Sequence, residues 1–198
     1  MSRERAFTLV ELLVALAIFA AVSVFAYRGL AVLLDSREAL DRDARKWRDL
    51  ALFVGRFERD VQAAIDRPVL GPSGTPAGAV TSLLDLGGAL GRGLALTRAG
   101  ATLQASELSA PQRVGYRLVE GRVDRLAWPG LDSGPREAAA ATTVLREVRA
   151  LAFRFLDRSL EWRDDWALPG APGLPLAVEM TVELASGERI VRVVDIAR

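Results

Sequence analysis

From Leu12 to Tyr27 the chain runs for sixteen residues without a charge, and Glu11 stands directly before that run, behind Phe7-Thr-Leu-Val10. As a helix, Phe7–Tyr27 is about 31 Å long, about one hydrocarbon thickness of a bilayer. Arg3 and Arg5 precede it, which holds the N-terminus on the cytoplasmic side and sends the rest of the chain across the membrane. A plain anchor accounts for the length. So does a secretory signal peptide, because Val24-Phe25-Ala26 carries tolerated residues for cleavage after Ala26. Neither accounts for Glu11. A charge at the centre of an inserted helix costs about 2.5–3.5 kcal/mol, somewhat less near an end, and marks a partner. If the chain is cut before Phe7, the new α-amino group is a cation. It can neutralise the Glu11 carboxylate of an adjacent chain displaced by about one helical turn. That pairing has meaning only in an assembly.

The rest of the composition narrows the chemistry. A chain of 198 residues holds one domain of ordinary size plus an appendage. With 51% hydrophobic and 26% charged residues, a packed core is attainable. Basic and acidic residues balance at 26 against 25 with no long basic run, which argues against nucleic acid as a partner. There is no His and no Cys, so disulfides, thiolate nucleophiles, Ser-His or Cys-His pairs and the usual zinc sites are excluded. An enzyme would have to use carboxylates, serines or the one lysine, Lys46. The acidic residues of Asp157–Asp165 and those around Asp132 match no EF-hand spacing, and Arg158 and Arg163 neutralise the first group. Ordinary ion pairing is the expectation there, with calcium held through carboxylate oxygens as the alternative. Leu86–Gly93 is glycine-rich but lacks the lysine of a phosphate loop. No catalytic residue, metal site or cofactor is expected.

After Arg28 the helical pattern continues. Apolar residues recur at Leu40, Ala44, Trp47, Leu50, Val54, Phe57, Val61 and Ile65 in steps of three and four, with charged residues between them, until Pro68. The expectation is one long helix, membrane-spanning in its first half and amphipathic in its second. Residues 69–79 read as a Gly/Pro loop. Val114–Trp128 reads as a hairpin turning at Glu120-Gly121, Val148–Leu156 as a strand, and Leu176–Leu184 with Arg189–Ile196 as a second hairpin. Leu131–Ala141 reads as a surface loop and Thr142–Glu147 as a short connection. In Leu176–Leu184, Val178, Met180, Val182 and Leu184 face one way and Glu179, Thr181 and Glu183 the other, as in an antiparallel sheet packed on a helix. Trp162 and Trp166 read as residues that pin a loop to the core, with a sugar or protein platform as the alternative. The fold class is α+β, a long N-terminal helix on antiparallel sheet.

The segment RERA/FTLVELLVALAIFA resembles the class III signal of type IV pilins and type II secretion pseudopilins: a short basic leader, a small residue, Phe, Thr-Leu, then Glu and an apolar helix. The resemblance implies a prepilin-peptidase cut between Ala6 and Phe7, N-methylation of Phe7, and Glu11 as the assembly carboxylate. It departs at Ala6, where the family has Gly, and slower processing is expected there. Further on, VGYRLVEGRVDRLAWPGLD, VLREVRALAFRFLD and EWRDDW, followed by LPLAVEMTVEL, resemble the J-type minor pseudopilin. That implies a pilin-like fold with a leader at 1–6, a transmembrane and assembly helix at 7–34, and a periplasmic domain at 35–198, anchored by a single pass in a bacterial inner membrane. It implies a tip component that primes pseudopilus assembly and supports export of folded proteins. Its partners would be the I, K and H types, the G-type main fibre and, during maturation, prepilin peptidase. The helix face with Leu40, Trp47, Leu50, Val54 and Phe57 is the expected partner interface. A minor pilin of a type IV pilus, or a periplasmic enzyme or binding domain released after Ala26, are the alternatives.

Overall fold

A computed structural model describes residues 9–70, 76–82, 93–100, 110–131, 139–166 and 173–196. One helix, α1, covers Leu9–Gln62. The chain divides into two compact units, Met1–Arg48 and Asp49–Arg198. The first unit is helix throughout its described length, rich in Leu, Ala and Arg, which favour helix. Its apolar side chains from Leu9 to Leu34 are exposed almost throughout, and the helix is long and apolar enough to cross a membrane.

The second unit holds the end of α1 and eleven strands: β1 (Val69–Leu70), β2 (Pro76–Ala77), β3 (Val80–Thr81), β4 (Leu94–Arg98), β5 (Gln112–Val119), β6 (Arg122–Ala127), β7 (Ala140–Arg146), β8 (Val148–Leu156), β9 (Trp162–Arg163), β10 (Ala177–Leu184) and β11 (Arg189–Asp195). They form a five-stranded sheet β3-β4-β5-β6-β7, a four-stranded sheet β11-β10-β8-β9 and the small pair β1-β2. All pairings among these strands are antiparallel. Both expected hairpins form. β5 and β6 are joined by Glu120 and Gly121 at φ 48° and 74°, the two positive angles that match the twist of a tight hairpin. β10 alternates buried at Val178, Met180, Val182 and Leu184 with half-buried at Glu179, Thr181 and Glu183.

The strands β7 and β8 belong to different sheets yet are separated only by Glu147, at φ 58°. The hinge is braced on both sides. Val148 N–H donates to the Gly121 carbonyl at 2.9 Å, and Ala185 N–H donates to the Glu147 carbonyl at 2.6 Å.

Four expectations change, the first being that the expected loop at residues 69–79 carries the strand pair β1-β2, Val69↔Ala77 and Leu70↔Pro76. Thr142–Glu147 is not a connection, because β7 covers Ala140–Arg146, paired with β6 from Ala127↔Ala140 to Arg122↔Arg146. Of the expected loop Leu131–Ala141, residues 132–138 lie outside the described residues and Ala140 and Ala141 are already strand. The helix ends at Gln62 rather than near Pro68. Its backbone is captured there by the sheet: Ala99 N–H donates to Ala63 O and Ile65 N–H to Thr97 O, at 2.8 and 2.9 Å. Residues 71–75 of the expected loop and 86–92 of the glycine-rich stretch lie outside the described residues.

One core joins the end of α1 to both large sheets. Leu50, Phe53, Phe57 and Val61 pack with Val114, Tyr116 and Val123 on one side and Phe153, Phe155, Met180 and Val182 on the other. Phe57 sits between them, edge-on to Tyr116 at 5.5 Å and stacked with Phe153 at 5.9 Å.

Candidate functional site

The processing residues Ala6 and Phe7 lie outside the described residues. Glu11 occupies the first described turn of α1 and is exposed; a carboxylate there complements the positive end of the helix. Every other residue from Leu9 to Tyr27 is uncharged.

The expected partner face divides in two. Leu40 and Trp47, in the first unit, are 69% and 48% exposed. Trp47 has the Lys46 ammonium over its ring at 5.3 Å. Leu50 and Phe57, in contrast, are buried in the chain's own core, so they are corrected from interface to core. Val54 is half-buried against the same core. The reason lies in the burial pattern of the second unit. Leu50, Phe53, Phe57 and Val61 recur at helical spacing and meet the two sheets, and the sheets cover what the apolar periodicity alone offered to a partner.

Asp60 is one of the charged residues that stand between the apolar positions of α1, yet the structure buries it to 1% exposure. Three groups from three strands meet on it. Tyr116 of β5 donates its O–H to Oδ2 at 2.6 Å, and Arg125 of β6 donates Nε to Oδ2 at 2.7 Å and Nη2 to Oδ1 at 3.2 Å. Arg98 of β4 donates Nη1 to Oδ1. A lone buried carboxylate is strongly disfavoured, and these charge-assisted bonds satisfy it. Burial first, then the Asp60 charge, pushes the Tyr116 phenol well above its ordinary value of 10.0. Burial lowers the pKa of Arg125, but its bond to Asp60 more than offsets this and raises it. The phase of α1 is the signal that could have found Asp60: it lies three residues after Phe57 and one before Val61, on the buried side.

A buried cation, Arg113 of β5, donates to the carbonyls of Gly78 and Ala79 at 3.1 and 2.7 Å and to Thr97 Oγ1 at 3.1 Å. Burial pushes its pKa down to about 10, so it stays charged at neutral pH. The first cluster ties α1 to β4, β5 and β6, and the second ties β5 to β4 and to Gly78 and Ala79.

Asp157, the one buried member of the acidic stretch, caps the turn that leads to β9. It accepts N–H groups of Ser159 and Glu161 at 2.8 and 3.0 Å and the Arg163 guanidinium at 2.5 Å. The Glu161 amide foremost, with Arg163, holds its carboxyl below the usual value. Among the described residues no group of three His, Cys, Asp or Glu could hold a metal, and Asp132 lies outside them. Trp166 is a pin: it is buried, 6.0 Å from Phe155, with its N–H groups on Ser82 Oγ at 2.8 Å and Gly173 O at 3.2 Å. Trp162 is half-buried, with the Arg154 guanidinium over its ring at 5.4 Å.

Among the described residues, the arrangement offers a long exposed apolar helix, with the Asp60, Arg113 and Asp157 clusters bonded within the chain. The family described as type II secretion system (T2SS), protein J, matches residues 28–196, and the prokaryotic N-terminal methylation motif matches residues 1–27. The chain is 32% identical to type II secretion system protein J of Klebsiella pneumoniae, over 92% of this chain and 89% of that protein. It is 27% identical to the protein of that name from Escherichia coli, over 98% of this chain and 96% of that protein. In fold it resembles a chain of the GspK-GspI-GspJ complex of the type 2 secretion system of enterotoxigenic E. coli. The TM-score is 0.65 at 23% identity, covering 77% of this chain and 98% of that one.

Proposed function

The chain belongs to the type II secretion system protein J family, and on that premise we propose that it works as a minor pseudopilin in the tip complex of the pseudopilus, where it primes assembly and supports export of folded proteins. Its role is structural rather than catalytic. The membrane-length helix anchors it, with residues 7–34 as the assembly helix and the bulk of the chain, residues 35–198, in the periplasm. Its partners are minor pseudopilins of the I and K types, the association named for the E. coli complex, with the H type and the G-type main fibre beside them.

The observation that carries this reading is Glu11, the one charge in an exposed apolar helix from Leu9 to Tyr27. A carboxylate in lipid needs a counter-charge, and the α-amino group of a neighbour matured at Phe7 supplies it. Leu33, Leu40 and Trp47 recur at seven-residue spacing and are all exposed. That is the spacing of a seam between packed helices, and Leu40 and Trp47 are retained here as the partner-facing side chains.

N-terminal sequencing with intact mass of the protein extracted from its membrane tests the maturation step. N-methylated Phe7 is expected; a start at Tyr27 defeats the assembly role. Glu11→Ala is expected to fold normally but to lose co-purification with the other minor pseudopilins.

A further inference from the structure

β11 is the outer strand of the four-stranded sheet. At the opposite edge β9 has only two residues, a length that blunts an edge against pairing. β11 has seven. Two bonds fix which of its backbone groups face β10. Leu184 N–H donates to Glu188 O at 2.9 Å, and Ile196 N–H donates to Leu176 O at 3.0 Å. Directly opposed residues exchange bonds at every second position of an antiparallel ladder, and the register between these two points carries no bulge. Ile190, Arg192 and Val194 therefore bond to Val182, Met180 and Val178. Arg189, Val191, Val193 and Asp195 direct their N–H and C=O groups off the edge, and their side chains share one sheet face. Val191 and Val193 are 50% and 47% exposed, between Arg189 and Asp195.

Natural edges of this length are commonly guarded by a charge near the middle. Here that residue is Arg192, and it lies on the other face, where its guanidinium donates to the Glu58 carboxylate of α1. Its charge is compensated, and the off-edge row is left apolar in the centre with one charge of each sign at its ends.

We propose that β11 is a docking edge to which an extended strand of a neighbouring minor pseudopilin adds, beyond the four strands of the sheet. The inference rests on the tip-complex reading for its partner. The incoming strand places apolar side chains beside Val191 and Val193, an acidic one beside Arg189 and a basic one beside Asp195. A second copy of this chain offers the same complement in the antiparallel register centred on Arg192; the occupant is assigned to a different pseudopilin because that is the company named for the E. coli chain of this fold.

The test uses the full chain co-expressed with the I- and K-type minor pseudopilins and extracted in detergent. Val193→Pro removes one off-edge N–H and no β10–β11 bond, a placement that proline tolerates; Val193→Ala keeps the N–H. The proline variant is expected to lower recovered complex about tenfold and the alanine variant far less, with the melting temperature of the free chain unchanged. Recovery of the proline variant at the wild-type level overturns the proposal. If that variant melts early, hydrogen exchange on the unsubstituted protein decides. The amides of Val191 and Val193 should exchange fast in the free chain and about tenfold slower in the complex, while those of Ile190 and Arg192 are protected in both. Unprotected Val191 and Val193 amides in the complex overturn it, and so does protection that appears on concentrating this chain alone, which assigns the edge to a second copy. Glu11→Ala separates the two readings. If it abolishes the complex while Val193→Pro does not, the tip role stands and edge docking falls. If the wild-type chain recovers neither partner, the tip role itself falls.

Discussion

Replacing Asp60 by Asn keeps the shape of the side chain and removes its charge. The amide oxygen can still accept the Tyr116 hydroxyl, now at 2.6 Å from Oδ2. It cannot serve the two guanidinium groups, Arg98 and Arg125, which are 17% and 16% exposed and so have little water to turn to. Removing one partner of a buried, hydrogen-bonded ion pair costs about 3–5 kcal/mol, because the remaining charge is left uncompensated. For a domain of about 150 residues, 1 kcal/mol lowers Tm by about 2–4 °C, so Asp60→Asn should melt about 6–20 °C below wild type. Tyr116→Phe is the internal control. It deletes one donor and leaves the carboxylate with both arginines, a loss of about 1 kcal/mol. Thermal and urea unfolding followed by circular dichroism measure both. If Asp60→Asn lies within about 1 kcal/mol of wild type, or if the two variants are equally destabilised, then Asp60 is not the charged centre that fastens α1 to β4, β5 and β6, and the reasoning fails.

Phe57→Ala, between Tyr116 and Phe153, should lose about 3–5 kcal/mol in the same unfolding assay. Leu40→Ala, at an exposed position, should stay within about 0.5 kcal/mol of wild type while lowering recovery of partner complexes. A Cβ at Gly115 would stand 2.9 Å from the Leu94 carbonyl and 3.2 Å from the Trp128 ring; Gly115→Ala should therefore cost about 1–3 kcal/mol, read as a lower Tm. The Tyr116 phenol is raised above its unfolded value of 10.0. Its contribution is therefore complete below that value and is lost as pH rises above it, because the unfolded chain then sheds a proton the folded one retains. Tyr116→Phe should flatten that alkaline loss in urea titrations across the window, and an unchanged slope would refute the assignment.

How much of this the sequence revealed depends on the range of the interaction. The β5–β6 and β10–β11 hairpins were legible because their determinants are local: alternation along each strand and a Glu-Gly or Ser-Gly turn between. β8 matched its expected bounds for the same reason, with Leu151, Phe153 and Phe155 buried in alternation. β7 escaped because Ala-Ala-Thr-Thr-Val carries no strong period, half its length being exposed at a sheet edge. β4 escaped because Leu94–Thr97 is buried on both faces, so its residues do not alternate. Asp60 escaped because Glu58, Arg59 and Asp60 look alike as text, and only the helical phase set by Phe53, Phe57 and Val61 separates the buried one from its wet neighbours. The partner face was over-read for a related reason. Apolar spacing says that a helix side is covered, and what covers Leu50 and Phe57 is decided by strands far along the chain.

The single-residue step at Glu147 bears on how the molecule comes apart. Consecutive residues on either side of it are committed to different sheets, and the step itself is bonded to the turns at Gly121 and Ala185. A cut at Glu147 would leave each sheet whole in sequence, but it would break the bonds from Val148 to Gly121 and from Ala185 to Glu147 and strip each sheet of the core it shares with the other through α1. Melting should register as one cooperative event across Asp49–Arg198, and a graft or truncation boundary belongs outside both sheets.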